Sequence, residues 1–377
     1  MNAHKYRILI ITADLGMGGA QPMNVRLAHR LRTRGHTVRI VSLFPRADAI
    51  NAEAIAGLEI LRMNARGFLQ KSVLPFRLAR LAKLCHIIIG GAEHAATTYG
   101  YLASQIANVP FVSWTHIALS ERIIDEGKPI DSAVSMAIYR RLRYVVFPSQ
   151  GALDDLHHLL GQFPRNADWR AIPNFINKPA PLFKPPLPDA PSFSKPVVLS
   201  AGRFQSQKAF DRLIRAHAVL RGEGLDHHLV LLGDGPLRAA LMDEARALGV
   251  QDSVFFPGHK ADVSAWMAHA CVFALCSRYE GFGLVILEAL VAGTPVVAMD
   301  CPSGPAEILD DGRYGILTPH DDEAAFSAAI GRLLRDAGLR KALSNLGRER
   351  AEDYKPEKIV PQWEVLFDEI SSVQSWG

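Results

Sequence analysis

Two acidic residues, Glu280 and Glu288, flank a glycine turn in the second half of the chain. The glycines of Glu280-Gly281-Phe282-Gly283 free backbone N–H groups where a helix begins, and a helix N-terminus favours phosphate. Glu288 falls inside an apolar helical pattern, where a carboxylate is costly unless it meets polar partners such as ribose hydroxyls. Glu280 could accept hydrogen bonds from the hydroxyls of a sugar. The alternative is a capping acid followed by an unrelated helical glutamate.

Two cations five positions apart follow a strand-like run. Arg203 and Lys208, with Gly202 before them, come directly after residues 197–201. At the carboxyl end of a parallel strand, such cations can face a ligand and hold a diphosphate. The alternative is a pair of solvated surface side chains.

A glycine loop, Gly16-Met17-Gly18-Gly19-Ala20, follows the first strand-like run and opens a helix. It could let backbone N–H groups approach an anionic ligand. The pattern is not G-x-G-x-x-G, and no acidic residue ends the second strand, where a dinucleotide site has its ribose-binding carboxylate. A tight turn and a close approach to another ligand both remain open.

These residues lie in a chain that alternates strand-like and helix-like segments. Short apolar runs such as residues 6–12 are separated by helical patterns such as residues 20–34, which is typical of βαβ units with a buried parallel sheet. Between residues 173 and 196 the alternation stops, and eight of the chain's 23 prolines fall there. Because proline fixes φ and lacks an N–H donor, this stretch predicts an extended linker.

The chain of 377 residues is therefore expected to form two doubly wound α/β domains that face a central cleft. The expected bounds are residues 1–178 for the first domain, 179–196 for the Pro-rich linker and 197–355 for the second domain. Residues 356–377 are expected to form a last helix that could pack back on the first domain.

The motifs, taken in their order, resemble those of the retaining glycosyltransferases of family 4, which have the GT-B fold with two Rossmann-like domains. Glu280-Gly-Phe-Gly with Glu288 is similar to the E-x7-E motif of that family, and Gly202-Arg203 with Lys208 is similar to its G-R-x-x-x-x-K stretch. Further stretches that resemble the family are Gly18-Gly19-Ala20 and residues 232–236, 256–259 and 292–297.

The resemblance implies a role for each matched residue. The second domain would bind a nucleotide sugar, with Arg203 and Lys208 neutralising the donor diphosphate. The first domain would lie on the acceptor side, where His116 resembles the active-site histidine of the family and Asn174 matches a hinge position. A lone histidine is more often structural, and that alternative stays open for His116. The implied catalytic set is His116, Arg203, Lys208 and Glu280.

The implied donor-binding set covers the glycine loops, the cations and the E-x7-E segment. Glu280 would hold the donor sugar and Glu288 the ribose. The amides of Leu284 and Val285 would face phosphate, and the backbone around His259 and Lys260 would face the base. The set is Gly18, Gly19, Gly202, Arg203, Lys208, Gly233, His259, Lys260, Glu280, Gly281, Phe282, Gly283, Leu284, Val285 and Glu288.

Three features bear on metals and on the acceptor. No D-x-D triplet occurs, so the common metal–diphosphate arrangement is missing, and we expect no metal and no cofactor. The four cysteines form no CxxC pair; Cys271 and Cys276 could be metal ligands, but reduced core thiols are the expectation. Where many family members read Gly-Gly-Ala-Glu, this chain has Gln21 and Pro22, which argues against a charge-dependent role of that glutamate here.

The function that the resemblance implies is a retaining, metal-independent glycosyltransferase. It would move a hexose or N-acetylhexosamine from a nucleotide-diphosphate sugar, with UDP favoured, to a hydroxyl of a glycan or lipid-linked acceptor in bacterial surface polysaccharide synthesis. One alternative is a GT-B-fold sugar-nucleotide epimerase. The other is a non-catalytic two-domain protein that binds a sugar or a nucleotide.

The net charge of +4 hides an asymmetry between the two halves. Residues 1–178 carry 22 basic and 12 acidic side chains, whereas residues 179–377 carry 20 and 26. In the basic half, residues 68–84 place three leucines on one helical face and three cations on another: Leu74, Leu78 and Leu81, and Arg77, Arg80 and Lys83. This segment could lie on an anionic membrane, or it could be an ordinary crossover helix with a solvated basic face. Pro75 favours two short helices there.

The apolar runs and the N-terminus bear on location. No run approaches the ~20 residues that span a bilayer, and the first residues show no signal-peptide pattern. We expect a cytoplasmic protein, either free or peripheral on the inner face of the cytoplasmic membrane. The basic residues are scattered without a nucleic-acid-binding motif, so no nucleic-acid partner is expected.

Overall fold

The computed structural model describes residues 4–16, 19–46, 50, 52–126, 129–162, 164–176, 193–260 and 262–374. The chain divides into two compact units: unit 1 comprises Met1–Phe175 and Pro356–Gly377, and unit 2 comprises Ile176–Lys355. Most of the linker predicted at 179–196 lies outside the described residues.

Unit 1 is built on a parallel sheet with the strand order β3-β2-β1-β4-β5-β6-β7. The strands are β1 (Arg7–Thr12), β2 (Thr37–Ser42), β3 (Glu59–Arg62), β4 (Ile87–Gly90), β5 (Phe111–Trp114), β6 (Tyr144–Phe147) and β7 (Asp168–Ala171). The helices are α1 (Ala20–Thr33), α2 (Gly67–Ser72), α3 (Leu74–Ala82), α4 (Ala95–Ala107), α5 (Leu119–Glu126), α6 (Pro129–Tyr139), α7 (Gln150–Leu160) and the last helix of the chain, α15 (Pro356–Gln374).

Unit 2 repeats this architecture with the strand order β10-β9-β8-β11-β12-β13, again all parallel. Its strands are β8 (Val197–Ala201), β9 (His228–Leu232), β10 (Val254–Gly258), β11 (Val272–Leu275), β12 (Val296–Met299) and β13 (Ile316–Thr318). Its helices are α8 (Phe210–Gly222), α9 (Arg238–Ala247), α10 (Val263–His269), α11 (Leu284–Ala292), α12 (Pro305–Leu309), α13 (Glu323–Arg335) and α14 (Ala337–Ala351).

The central strands form where the apolar runs predict them, because both faces of a parallel sheet are covered by helices. Every residue of β4, β5 and β8 is buried. The sheet-edge strands β3 and β7 were not expected from the sequence, and their residues are only partly buried or exposed. β13 was not expected either. Among the described residues, no helix is both long enough and apolar enough to cross a bilayer.

Helices α2 and α3 show which face of residues 68–84 the core of unit 1 uses. The chain forms two short helices with Pro75 in the first turn of the second, as predicted from that proline. Leu74 and Leu78 are fully buried in the core of unit 1, and Leu81 packs against the same core. The leucine face therefore holds the crossover helix to the sheet and is not available to a membrane.

A buried chain of hydrogen bonds links two histidines in unit 2. The Nδ1 atom of His227 lies 2.8 Å from the carbonyl oxygen of Leu225, which assigns the proton to that nitrogen. Nε2 of His227 can then accept from Nδ1–H of His217 (2.8 Å), which leaves Nε2 of His217 as an acceptor 2.8 Å from the hydroxyl of Ser253; that hydroxyl also lies 3.0 Å from the carbonyl oxygen of Val250. Both imidazoles are neutral in this arrangement. Burial lowers the pKa of His217 to about 3, and burial also lowers the pKa of His227.

We predict that this histidine pair makes the fold sensitive to acid. Because the folded-state pKa values lie below the unfolded value of about 6.5, the stabilisation is complete above pH 6.5 and decreases as the pH falls below it, by about 1.4 kcal/mol per pH unit for His217. Urea unfolding of the full chain between pH 7 and pH 5 measures this slope. His217→Gln should reduce the slope by about one proton, whereas the exposed His158→Gln should leave it unchanged. An unchanged slope in His217→Gln contradicts the prediction.

Candidate functional site

The loops that follow β8, β9 and β10 meet at the carboxyl edge of the unit 2 sheet. The amide of Gly202 donates to the carbonyl of Leu232 at 2.9 Å, and the amide of Gly233 donates to the carbonyl of Gly258 at 3.0 Å. Gly233 has a φ of +136°, and a Cβ there would overlap the carbonyl oxygen of Gly202. Two of the predicted glycines therefore allow neighbouring backbones to touch at the point where the strands end.

Lys208 and Glu280 form a buried ion pair at this edge. The Nζ atom of Lys208 lies 2.5 Å from Oε1 of Glu280, and the two side chains are only 16% and 7% exposed. The hydroxyl of Ser277 donates to the same Oε1 atom at 2.6 Å. The aliphatic stem of Lys208 passes over Gly202, where a side chain would crowd it. Two residues predicted to act on a donor are therefore in direct contact, 72 positions apart in the sequence.

The loop after β12 supports the glycine turn from the other side. The hydroxyl of Ser303 donates to the carbonyl of Glu280 at 2.6 Å, and the amide of Glu280 donates to the carbonyl of Pro302 at 3.2 Å. Gly283 has a φ of +86° and stands at the N-cap of α11, with no side-chain cap among the described residues. First-turn amides of α11, which include those of Leu284 and Val285, can therefore face an anion.

The remaining predicted donor residues lie on the loops after β8 and β10 and on α11. Arg203 follows Gly202, is exposed, and forms no ion pair within the part of unit 2 that the structure describes. Glu288 lies in the second turn of α11 and is partly exposed. His259 is exposed after β10, and the ammonium of Lys260 lies 5.8 Å from the ring centroid of Trp266.

In unit 1, His116 follows β5; the residue is half-buried, and both of its ring nitrogens are buried. Neither ring nitrogen has a hydrogen-bond partner among the described residues. Its backbone amide donates to the carboxylate of Glu93, which is itself buried in the loop after β4. Burial lowers the pKa of the His116 imidazole, although the nearby Glu93 acts in the opposite direction. The ring is therefore neutral near pH 7 and can serve as a hydrogen-bonding group.

A row of aromatic rings in tilted and edge-on contact supports His116. Its ring centroid lies 4.5 Å from that of Trp114, which in turn lies 4.9 Å from that of Trp363 on α15. The helix is also held to unit 1 by the bidentate pair of Arg34 with Glu364. The last helix of the chain thus packs directly behind the strand end that carries His116.

Two predicted unit 1 residues can be placed and one cannot. Gly19 stands at the N-cap of α1, where a Cβ would meet nothing within 4 Å, so its lack of a side chain is not a steric requirement. Gly18 lies outside the described residues. Asn174 is buried near the end of unit 1, and its Oδ1 atom has no partner among the described residues.

The sequence analysis missed Glu93, Ser277 and Ser303. Ser277 stands three positions before Glu280, and a hydroxyl so close to a key acid is the one signal that could have indicated it. Glu93 and Ser303 act through contacts between loops distant in sequence, and no local pattern marks them.

The cysteines and potential metal ligands can be placed as well. Cys276 and Cys301 are buried, Cys85 and Cys271 are half-buried, and all four are free thiols. Burial raises the pKa of the Cys276 thiol to about 12, so it is protonated at neutral pH. A search of the described residues finds no group of three or more His, Cys, Asp or Glu side chains that could hold a metal ion.

Two family models match the chain, one in each half. The model described as Glycosyltransferase Family 4 matches residues 17–178, and the model described as Glycosyl transferases group 1 matches residues 190–350. The second match contains the loops that carry Arg203, Lys208 and Glu280.

Some curated relatives are matched over nearly their full length. One is the N-acetylgalactosamine-N,N'-diacetylbacillosaminyl-diphospho-undecaprenol 4-alpha-N-acetylgalactosaminyltransferase of Campylobacter jejuni, 34% identical over 363 residues, with 93% of this chain and 96% of that protein covered. An exopolysaccharide phosphotransferase of Streptomyces coelicolor is 34% identical over 203 residues, which is 54% of this chain and 21% of that protein. Four further relatives are matched over only 44% to 49% of their length.

Solved structures show the same fold. Anabaena HepE, solved in complex with UDP, superposes with a TM-score of 0.78 at 22% identity and covers 96% of this chain and 100% of that one. Sucrose-phosphate synthase from Thermosynechococcus elongatus superposes with a TM-score of 0.80 at 22% identity, over 98% and 100% of the two chains.

We predict that the Lys208–Glu280 pair is coupled in folding. Lys208→Met leaves a buried carboxylate without its cation and should destabilise the chain by about 3 kcal/mol. The double variant Lys208→Met/Glu280→Gln removes both charges and should recover most of that loss, since residues in contact do not have additive effects. Urea unfolding of the wild type, the two single variants and the double variant measures the coupling.

The exposed pair Arg246–Asp243, with side chains 62% and 63% exposed, is the matched control. Arg246→Met should change stability by less than about 1 kcal/mol, because exposed pairs contribute little. Strictly additive losses at Lys208 and Glu280 would contradict the predicted coupling.

Proposed function

Because the chain belongs to glycosyltransferase family 4, we propose that it is a retaining, metal-independent enzyme that transfers a sugar from a nucleotide-diphosphate donor. The single observation that carries this proposal is the Lys208–Glu280 pair beside Arg203 and the glycine turn, at the carboxyl edge of the unit 2 sheet. Open parallel sheets bind their ligands at that edge. Nothing in the comparisons favours an epimerase or a non-catalytic binding protein.

The donor diphosphate would be held by charge and by backbone amides. Arg203 is free to turn toward an anion, and Lys208 already lies beside the turn. Leu284 and Val285 begin α11, whose uncapped N-terminus adds N–H groups on the same phosphate. Glu288 would accept from the ribose, and the backbone around His259 and Lys260 would face the base.

Binding of the donor would change the partner of Lys208. In the structure its charge is neutralised by Glu280. When a diphosphate approaches, the ammonium can bind phosphate, and the carboxylate of Glu280 then accepts from a sugar hydroxyl while the Ser277 hydroxyl keeps it oriented. No step of this exchange buries an unpaired charge, which would be costly at so low an exposure.

The transfer would follow a front-side route with retention at the anomeric carbon. The bond between that carbon and the donor phosphate oxygen breaks, and a bond to the acceptor oxygen forms on the same face. The acceptor proton passes to the departing phosphate, so that no protein nucleophile is required. Arg203 and Lys208 stabilise the negative charge that develops on the leaving diphosphate, so that no metal ion is needed for this purpose.

The acceptor would be served by unit 1. His116 is neutral, and neither of its ring nitrogens has a hydrogen-bond partner among the described residues, so it would offer a hydrogen bond to an acceptor hydroxyl. Glu93 holds the backbone of His116 and thereby positions the ring.

We favour UDP in the donor and a lipid-linked or glycan acceptor in bacterial surface polysaccharide synthesis. HepE and TarM were both solved with UDP, and the name of the Campylobacter relative specifies a diphospho-undecaprenol acceptor. A hexose or an N-acetylhexosamine is the sugar proposed. With an acceptor of this kind the protein would work on the cytoplasmic side of the membrane, as a peripheral protein.

We predict that Arg203→Ala and Lys208→Ala each reduce turnover by roughly 10²-fold or more, since each removes a group that stabilises the leaving diphosphate. Release of nucleoside diphosphate in the presence of acceptor measures the rate. Arg246→Ala, an exposed cation elsewhere in unit 2, is the control and should retain full turnover. Near-normal turnover in both Arg203→Ala and Lys208→Ala would remove these residues from the donor site.

We also predict that one class of donor stabilises the chain specifically. A ligand that binds the folded state alone raises the melting temperature, by about 2.7 kcal/mol of stabilisation at 100 times its Kd. A thermal-shift panel of UDP-, GDP- and ADP-sugars measures this effect, and UDP-sugars should give the largest shift. Stabilisation by a GDP- or ADP-sugar alone would overturn the choice of UDP.

A further inference from the structure

The outer side of α2 and α3, which we call the α2–α3 surface, exposes large apolar side chains that the fold does not use. Phe68 and Leu69 are 84% and 80% exposed, and α2 buries none of its six residues. Phe76 and Leu84 are each 61% exposed. Single exposed apolar residues are ordinary, but several on one short stretch indicate an interaction site.

The charge of this surface is of one sign. Residues 60–92 contain no acidic residue and carry six cations, which are Arg62, Arg66, Lys71, Arg77, Arg80 and Lys83. No carboxylate among the described residues pairs with Arg66, Arg77, Arg80 or Lys83. Surface cations usually find acidic neighbours on the same protein, so their absence here leaves a field that attracts an anionic partner.

The core of unit 1 holds the surface in place. Leu74 and Leu78 anchor α3 from its inner side, and Ala79 and Ala82 pack in the same cluster. The exposed residues of α3 therefore stand on a helix that the core fixes, and α2, which carries Phe68 and Leu69, leads directly into it. Apolar side chains among unpaired cations are the combination that interfacial helices present to anionic lipid.

We propose that the α2–α3 surface docks unit 1 on an anionic lipid bilayer. Phe68 and Leu69 enter the interface between headgroups and acyl chains, and Arg66, Arg77 and Arg80 bind the headgroup phosphates. The inference rests on the proposed function only in that a lipid-linked acceptor lies in such a bilayer. A second copy of this chain does not fit the same surface, because a two-fold contact would bring like charges together.

Co-sedimentation of the full chain with vesicles tests the proposal. Binding to vesicles of phosphatidylglycerol and phosphatidylcholine is expected at low salt, with little binding to phosphatidylcholine alone and weakening at high salt. Phe68→Ser/Leu69→Ser should reduce the partition coefficient by about tenfold or more, and Arg77→Gln/Arg80→Gln should do the same.

Matched controls come from unit 2, where Val219 is 54% exposed and Arg246 is also exposed. Val219→Ser and Arg246→Gln should leave vesicle binding unchanged. The proposal is overturned if the wild type does not bind anionic vesicles, or if the surface variants bind as well as the controls. It is also overturned if Phe68→Ser/Leu69→Ser instead converts a dimer in solution to a monomer.

The thermal shift produced by UDP separates this proposal from the proposed function. The surface variants should keep the wild-type shift, because Phe68, Leu69, Arg77 and Arg80 are not among the donor residues, and the cations and acids of the donor site belong to unit 2. Vesicle binding without a thermal shift by UDP would support the membrane-docking proposal and contradict the proposed UDP donor. A thermal shift by UDP without vesicle binding would support the proposed donor and contradict the membrane-docking proposal.

Discussion

A buried charge must have a partner, and in unit 2 this constraint is met by the contact between Lys208 and Glu280. The loops around the pair are arranged to keep it: the Ser277 hydroxyl donates to the carboxylate, and Ser303 and Pro302 hold the backbone of Glu280. A cation and an acid that neutralise each other can be kept at low exposure without a ligand. In the proposed function the same two groups turn to a diphosphate and a sugar, which need one positive and one hydrogen-bond-accepting group.

In unit 1, the buried and the exposed residues of the segment 68–84 have different roles, which the sequence pattern alone did not distinguish. The leucines of α3 face inward and fix the crossover helix, while Phe68, Leu69 and the unpaired cations face outward. Much of the net positive charge of the first half of the chain thus comes from the cations between residues 60 and 92, where no acidic residue occurs. In the same unit, α15 packs Trp363 against Trp114, whose ring contacts the neutral His116. The surface proposed for an anionic lipid and the histidine proposed for an acceptor hydroxyl thus belong to the same unit.

Much of the fold could be predicted from the sequence, because buried parallel strands consist of short apolar runs, and these runs lie between segments with a helical pattern. The edge strands β3 and β7 could not, since they are half-covered and their sequences, such as Asp168-Trp169-Arg170-Ala171, carry no apolar run. The cations and acids of the candidate site could be named from motifs. Their pairing across 72 positions, and the support that Glu93 gives to His116, are tertiary contacts that no local pattern encodes.

The most direct test of the account is a calorimetric titration of UDP into the full chain in the presence of EDTA. Binding to a single site is predicted without any added divalent cation, with an affinity about 10²-fold lower in Lys208→Met, because the diphosphate is held by side-chain cations. An absolute requirement for a divalent cation, or an unchanged affinity in Lys208→Met, would contradict the claim that the Lys208–Glu280 pair receives the donor.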